Sequence, residues 1–180
     1  MLNNYIKSLY IFLFYVFFRH LPVSFSKFGG GISCRLRRWA CMHIFEYCGK
    51  NVNIEKGVYF GRGDKIRIGD NSGLGINCQI PNGSTIGENV MIGPNCYIHS
   101  INHKFDRTDI PMIQQGVTTS KAITIGDDVW IGRDVTIMPG RTISDGTIVA
   151  ACSVLTKDYP AYSIVGGNPA KLIKNRIKKE

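Results

Sequence analysis

Much that would announce a chemistry is missing from these 180 residues. None of the six cysteines forms a CxxC pair, so a zinc finger or a disulfide framework is not expected. No small-residue cleavage site follows the apolar N-terminus, so a secretory leader is not expected either. Reduced, packing thiols are the natural reading, and they point to the cytoplasm. Cys34, Cys41 and Cys48 recur every seven residues, a spacing that predicts one helical stripe. The unbroken apolar run from Leu9 to Phe18 is about half of the ~20 residues that a membrane span requires. No platform of interleaved aromatic and basic residues is present, so nucleic acid is not an expected partner.

The formal net charge of +9 is unevenly placed. Residues 1–50 carry +6 and residues 171–180 carry +4, which leaves the intervening 120 residues at −1. The basic character therefore sits at the two ends. At the N-terminus, "NNYIKSLYIFLFYVFFRHLP" joins the apolar run to Lys7 and Arg19, with "CRLRRW" following. Residues 1–49 read as a helical extension for which two placements stay open: peripheral contact with an anionic membrane surface, or packing on the rest of the domain or on a neighbouring subunit.

What the sequence does have is a beat of six. Aliphatic residues recur at Ile68, Leu74, Ile80, Ile86, Ile92 and Ile98, and again at Ile125, Ile131, Ile137, Ile143, Val149 and Leu155. Two positions before most of them stands a small or β-branched residue, such as Ser72, Cys78, Val90, Cys96, Val129 or Ser153. A helix of 3.6 residues per turn cannot hold a six-residue stripe on one face, whereas a coil of short strands and tight turns can. Three hexads then make one triangular rung, with alternate side chains pointing inward and Gly or Asn supplying positive φ at the corners. The pattern predicts an all-β parallel β-helix over residues 50–165.

The segments "IGDNS", "IGENV", "IGPNC", "IGDDVWIGRDVTIMPG" and the closing "SIVGGNPAKLIK" resemble the hexapeptide-repeat acyltransferases. Among these they are similar to the acetyltransferases of galactosides, maltose and cell-envelope polysaccharides. The resemblance implies a left-handed coil, a homotrimer with active sites between subunits, and acetyl-CoA as acyl donor; the histidine count, taken up below, leads us to expect no metal. It also implies direct attack by the acceptor in a ternary complex, without an acyl-enzyme, which agrees with the absence of a GxSxG motif.

Ile125 stands 27 positions after Ile98, four hexads and three more, so the register is lost and a segment must leave the coil. Residues 104–122 suit a loop, with Pro111, Gly116 and mixed charge, while Ile110, Met112 and Ile113 suggest that it docks against something. His103 stands where the excursion begins. Counting on from Ile98 places it outward, on a flat face of the prism beneath the root of the loop. A surface histidine is the ordinary alternative, but relatives carry a general base at this point, and an imidazole with a pKa near ~6.5 suits deprotonation of a sugar hydroxyl. His99 also points outward, either helping to hold the acceptor or standing in solvent. Asn77 lies near the asparagine with which galactoside acetyltransferases hold the acceptor, although the local spacing departs by a short deletion; a plain corner asparagine is the other reading.

Toward the C-terminus the resemblance assigns coenzyme contacts to Trp130, Gly132, Ala151, Thr156 and Lys157. Lys171 and Lys174 stand in for phosphate-binding arginines, and Arg133 replaces a contacting serine. Trp130 is outward by the hexad count and could equally be a subunit-contact aromatic. Pro169, with Asn168 as its cap, predicts a short helix and basic tail over residues 166–180, with Lys171, Lys174 and Lys178 on one face. A merely solvated basic tail remains the alternative.

Two rival functions stay open. Some coils of this kind are zinc hydratases, which need three histidines per metal; here only His99 and His103 fall in the coil, since His20 and His43 precede it. The other rival is a non-catalytic scaffold, since a fold alone does not imply activity. The favoured expectation is O-acetylation of a sugar or an envelope or capsular glycan precursor, with N-acetylation as a variant.

Overall fold

The computed structural model describes residues 4–177. From Tyr47 onward the chain winds as a left-handed parallel β-helix of two-residue strands, stacked in three flat faces. The first face stacks Tyr47–Cys48, Arg67–Ile68, Thr85–Ile86, Thr124–Ile125 and Thr142–Ile143. The second runs from Asn53–Ile54 through Gly73–Leu74, Met91–Ile92, Trp130–Ile131 and Ile148–Val149 to Ser163–Gly167. The third stacks Tyr97–Ile98, Thr136–Ile137 and Val154–Leu155, and single parallel bridges extend it to Gln79 and Tyr59.

The six-residue beat fills the interior of the prism. Every aliphatic residue of both series is buried, as are the small residues two positions before them, including Ser72, Cys78, Val90, Cys96, Val129 and Ser153. Burying a serine costs free energy unless its hydroxyl is bonded. Here Ser72 Oγ donates to Gly87 O at 2.7 Å and Ser153 Oγ to Ala150 O at 2.6 Å. Corners are turned by residues in the left-handed region, among them Asn71, Asn77, Asn89, Asn95, Asp128 and Asp134. Their side chains form ladders from rung to rung, such as Asn77 to Asn95 at 3.3 Å and Asn95 to Asp134 at 3.0 Å.

The open N-terminal end of the coil is closed by two helices, α1 (Asn4–Val16) and α2 (Gly30–Ile44). Phe14 is fully buried against Phe60, with ring centroids 4.6 Å apart, and the Tyr15 hydroxyl accepts the Phe60 N–H and donates to Gly61 O, each at 3.0 Å. From α2, the buried Arg37 donates to the carbonyls of Ile54, Leu21 and Pro22 and pairs with Glu55. Capping of this kind protects an edge that would otherwise template further pairing. The stripe expected for Cys34, Cys41 and Cys48 is cut short: α2 ends at Ile44, and Cys48 belongs to the first strand.

A short C-terminal helix is not what forms. Ser163–Gly167 and Ala170–Asn175 make an antiparallel hairpin that continues the second face. Ser163 and Val165 still alternate inward, so the strand period outlasts the hexads, and the Asn168-Pro169 pair serves as a turn rather than as a helix start. Lys178 lies outside the described residues.

Candidate active site

Thr85 pairs with Thr124 across the excursion, so the coil resumes in register as though nothing had intervened. The excursion leaves as a narrow neck of two antiparallel limbs. Lys121 N–H donates to Ser100 O at 2.8 Å, Thr118 N–H to Asn102 O at 2.8 Å, and Lys104 N–H to Gly116 O at 3.0 Å. Thr118 Oγ1 also accepts the Asn102 N–H at 3.0 Å. His103 faces Val117 inside this neck. The hexad count therefore runs one step too far: at His103 the chain has already left the prism, and the imidazole stands on the neck of the loop rather than on a flat face. It is exposed, and no hydrogen bond to its ring is formed among the described residues.

The tip folds back toward it. Gln115 Nε2 bonds the carbonyls of Arg107 and Ile110, and a 3₁₀ turn at Met112–Gln114 brings Met112 and Ile113 beside His103, where the three line a cavity of about 310 Å³. The apolar loop residues thus stand as an exposed apolar wall next to the imidazole. At the foot of the neck, a second groove of about 310 Å³ contains Asn102, Thr118, Lys121, Met138, Arg141 and Thr156. The residue before His103 and one candidate coenzyme contact consequently share one corner of the prism.

His99 is half-buried rather than free in solvent. Its ring lies 4.3 Å from that of Tyr97, and burial lowers its pKa from the ordinary imidazole value. It lines a cavity of about 300 Å³ with Tyr59, Gln79, Asn82, Tyr97 and Ile101. Tyr59, Gln79 and Tyr97 form one outward column up the third face. This column was not legible in the sequence as a whole: Gln79 and Tyr97 are three hexads apart and share one outward phase, but Tyr59 stands 20 residues before Gln79 and joins them only through the stacking of rungs. Asn77 turns a corner at φ 57° and commits its amide to Asn95, while lining an open groove with Arg19, Tyr59 and Gln79.

The remaining coenzyme candidates gather on the second face and its edges. Trp130 is 51% exposed, in a row between Met91 and Ile148. Gly132 stacks directly on Ala151: a Cβ added at Gly132 would fall 2.5 Å from Ala151 N, so the rungs can approach only because that side chain is absent. Arg133 turns aside to bond Asp134 at 2.8 Å. Lys157 lies with its ammonium 5.5 Å from the Tyr159 ring, at the far edge of the third face. Lys171 and Lys174 are three apart on a strand, which would ordinarily put them on opposite sides. A bulge between Ile164 and Val165 restores them to one side: Lys171 pairs with Gly166 and Lys174 with Ile164, the positions flanking the inward Val165. The shared cationic face expected of a helix is supplied instead by a bulged hairpin.

The repeats match the family model described as bacterial transferase hexapeptide (six repeats) at residues 65–100 and 122–157. The chain is 36% identical over 137 residues to the galactoside O-acetyltransferase of Escherichia coli strain K12, covering 73% of this chain and 64% of that protein. It is 34% identical over 134 residues to WcaF of the same organism, an acetyltransferase named for colanic acid biosynthesis, covering 73% and 70%. A solved galactoside acetyltransferase in complex with coenzyme A superposes with a TM-score of 0.77 at 30% identity, over 96% of this chain and 80% of that one. A hexapeptide-repeat acetyltransferase from Vibrio cholerae, complexed with acetyl coenzyme A, superposes with a TM-score of 0.70 at 32% identity, over 79% and 77%. With repeat, coil and excursion all in place, the chain belongs to the hexapeptide-repeat acetyltransferases.

Proposed function

We propose that the protein transfers an acetyl group from acetyl-CoA to a hydroxyl of a sugar, most specifically one in an envelope or capsular polysaccharide precursor. The observation that carries this reading is the neck of the excursion, which holds an exposed His103 between the apolar wall of Met112 and Ile113 and the groove of Asn102 and Thr156. His103 takes the proton of the acceptor hydroxyl as its oxygen attacks the thioester carbonyl. The tetrahedral intermediate collapses with loss of the coenzyme thiolate, which recovers the proton from the imidazolium. The products are the acetyl ester and free coenzyme A, and no acyl-enzyme is needed.

Lys171 and Lys174 offer two cations on one side of an exposed edge, suited to coenzyme phosphates. Trp130 and the tight Gly132–Ala151 step lie on the same face as a surface for the pantetheine arm. In this reading the half of the site opposite His103 comes from a second protomer of a homotrimer. The loop apolar residues support this, because Met112 and Ile113 remain exposed within one chain. The column of Tyr59, Gln79 and Tyr97 with His99 gives the acceptor an aromatic surface that carries hydrogen-bonding groups.

The test is release of coenzyme A thiol from acetyl-CoA over a panel of free sugars, nucleotide sugars and lipid-linked glycans, with product mass read in parallel. Acetyl gain by a glycan hydroxyl is the expected result. Background thiol release across the whole panel, together with no acetyl-CoA binding, would overturn the proposal. Acetyl gain only at an amine would move it to N-acetylation.

A further inference from the structure

The first acidic residue of the chain is Glu46, whereas the 45 residues before it include six Lys or Arg. Two of those six are used internally: Arg37 is buried on Glu55, and Arg19 donates to Gly57 O and lies over the Tyr15 and Tyr59 rings. Lys27, Arg35 and Arg38 take part in no ion pair among the described residues, and Lys27 and Arg35 are exposed. An exposed basic segment with no acid of its own is complementary to a negatively charged surface.

The same segment carries large apolar side chains on its outside. Helix α1 buries Phe14 but turns Leu9, Phe12 and Val16 outward as one stripe. Between the helices, Phe25 is 76% and Phe28 is 88% exposed. On α2, Ile32, Trp39 and Met42 form an outward stripe interrupted by Arg35, and Trp39 touches the ring of Tyr10 from α1. No described helix is long and apolar enough to cross a membrane. The 13 residues of α1 extend about 20 Å, against about 30 Å of hydrocarbon. Rings and aliphatic groups outside, with unpaired cations among them, suit a helix pair lying in the plane of the headgroups. A second copy of this patch is a poorer occupant, because two acid-free basic surfaces repel.

We propose that α1, α2 and the segment joining them dock on an anionic lipid bilayer, inserting Phe25, Phe28 and the outer stripes while Lys27, Arg35 and Arg38 meet lipid phosphates. The N-terminal end of the prism then faces the membrane. This goes beyond the acetyl-transfer reading and does not depend on it, because lipid binding is measured without coenzyme or acceptor.

The experiment is co-flotation of the full-length protein with vesicles of phosphatidylcholine, either alone or mixed with phosphatidylglycerol, at low and high salt. Binding should favour the anionic vesicles and weaken with salt. At roughly fivefold per charge near the surface, the double variant Lys27→Glu/Arg35→Glu should lower it at least ~10-fold. Phe25→Ser/Phe28→Ser should lower it comparably, and both variants should keep the parent's melting temperature and mass in solution. Should the phenylalanine pair fail to fold, the charge pair carries the test, since both of its residues lie on the surface. No binding to either vesicle, equal binding to both, or full binding by the folded variants would overturn the proposal. A change in oligomeric mass with no lipid binding would overturn it too, reassigning the patch to contact between copies. Coenzyme A release is read alongside: unchanged release with lost vesicle binding is the expected pair, and absent release with intact vesicle binding would remove the acetyl-transfer reading alone.

Discussion

His103 and Val117 face each other across an antiparallel bridge, flanked on one side by the Thr118–Asn102 hydrogen bond at 2.8 Å and on the other by Lys104–Gly116 at 3.0 Å. The imidazole is therefore placed by the pairing of two loop limbs and only indirectly by the prism. Loop backbone ordinarily opens more readily than stacked strands, so the precision of this site rests on a few neck hydrogen bonds.

Replacing His103 by Ala removes the proposed base and leaves the coenzyme surfaces untouched. The expected outcome is a fall in kcat of ~10²–10⁴ with acetyl-CoA affinity nearly unchanged. Steady-state kinetics beside direct titration of acetyl-CoA check both halves, and an unchanged kcat would take His103 out of the mechanism.

Thr118 holds Asn102 through its N–H and its hydroxyl oxygen together. Thr118→Val keeps shape and β-branching but leaves the Asn102 N–H without that acceptor. A lost hydrogen bond of about 1 kcal/mol predicts a several-fold drop in kcat. The KM for acetyl-CoA should hold, and Thr118→Ser should restore the rate. A merely structural role would instead lower the melting temperature and leave kcat alone.

Lys171 and Lys174 share one side of the terminal hairpin because of the bulge at Ile164/Val165. Lys171→Glu/Lys174→Glu is expected to raise the Kd for coenzyme A ~10-fold or more, mainly at low ionic strength, where screening is least. Affinity for a truncated pantetheine thioester without the nucleotide should change little. Equal losses for both ligands would show that the variant damages the face rather than the phosphate contact.

Arg37 and Glu55 make a stability prediction of their own. Burial would raise the Glu55 pKa, but hydrogen bonds from Ser24 and Asn53 and the charge of Arg37 together outweigh it and hold the carboxyl below its ordinary value. A carboxyl depressed in the folded state stabilises the protein above its unfolded pKa, and that contribution is lost as the pH falls below about 4.5. Arg37→Met leaves Glu55 buried without its cation and should cost about 3–5 kcal/mol in denaturant unfolding at neutral pH. It should also make the acid limb of the stability profile shallower, since less of the depression remains to be lost.

Several elements could be read before any coordinates. Ile68 through Leu155 lie inside the coil because each hexad presents the same face to the axis, a local rule that repeats without outside help. The excursion was legible as a break in that rule. The C-terminal hairpin was not, because Asn168-Pro169 is as good a turn as a helix start, and only pairing of Ile164 with Ile148 and of Val165 with Val149 selects the strand. His99 was a candidate from the sequence, but its half-burial and the cavity beside it were not legible for a similar reason: Tyr59, Gln79 and Tyr97 are well separated in sequence and meet only when successive rungs stack.

Periodicity by itself thus determined the coil, its inward residues and the point where the chain departs from it, since alternation and corner chemistry act over six residues at a time. The position of His103 on a neck, the meeting of Asn102 with Thr156 and the common side of Lys171 and Lys174 were decided by tertiary structure. Each depends on pairing or packing between segments whose register local sequence does not specify.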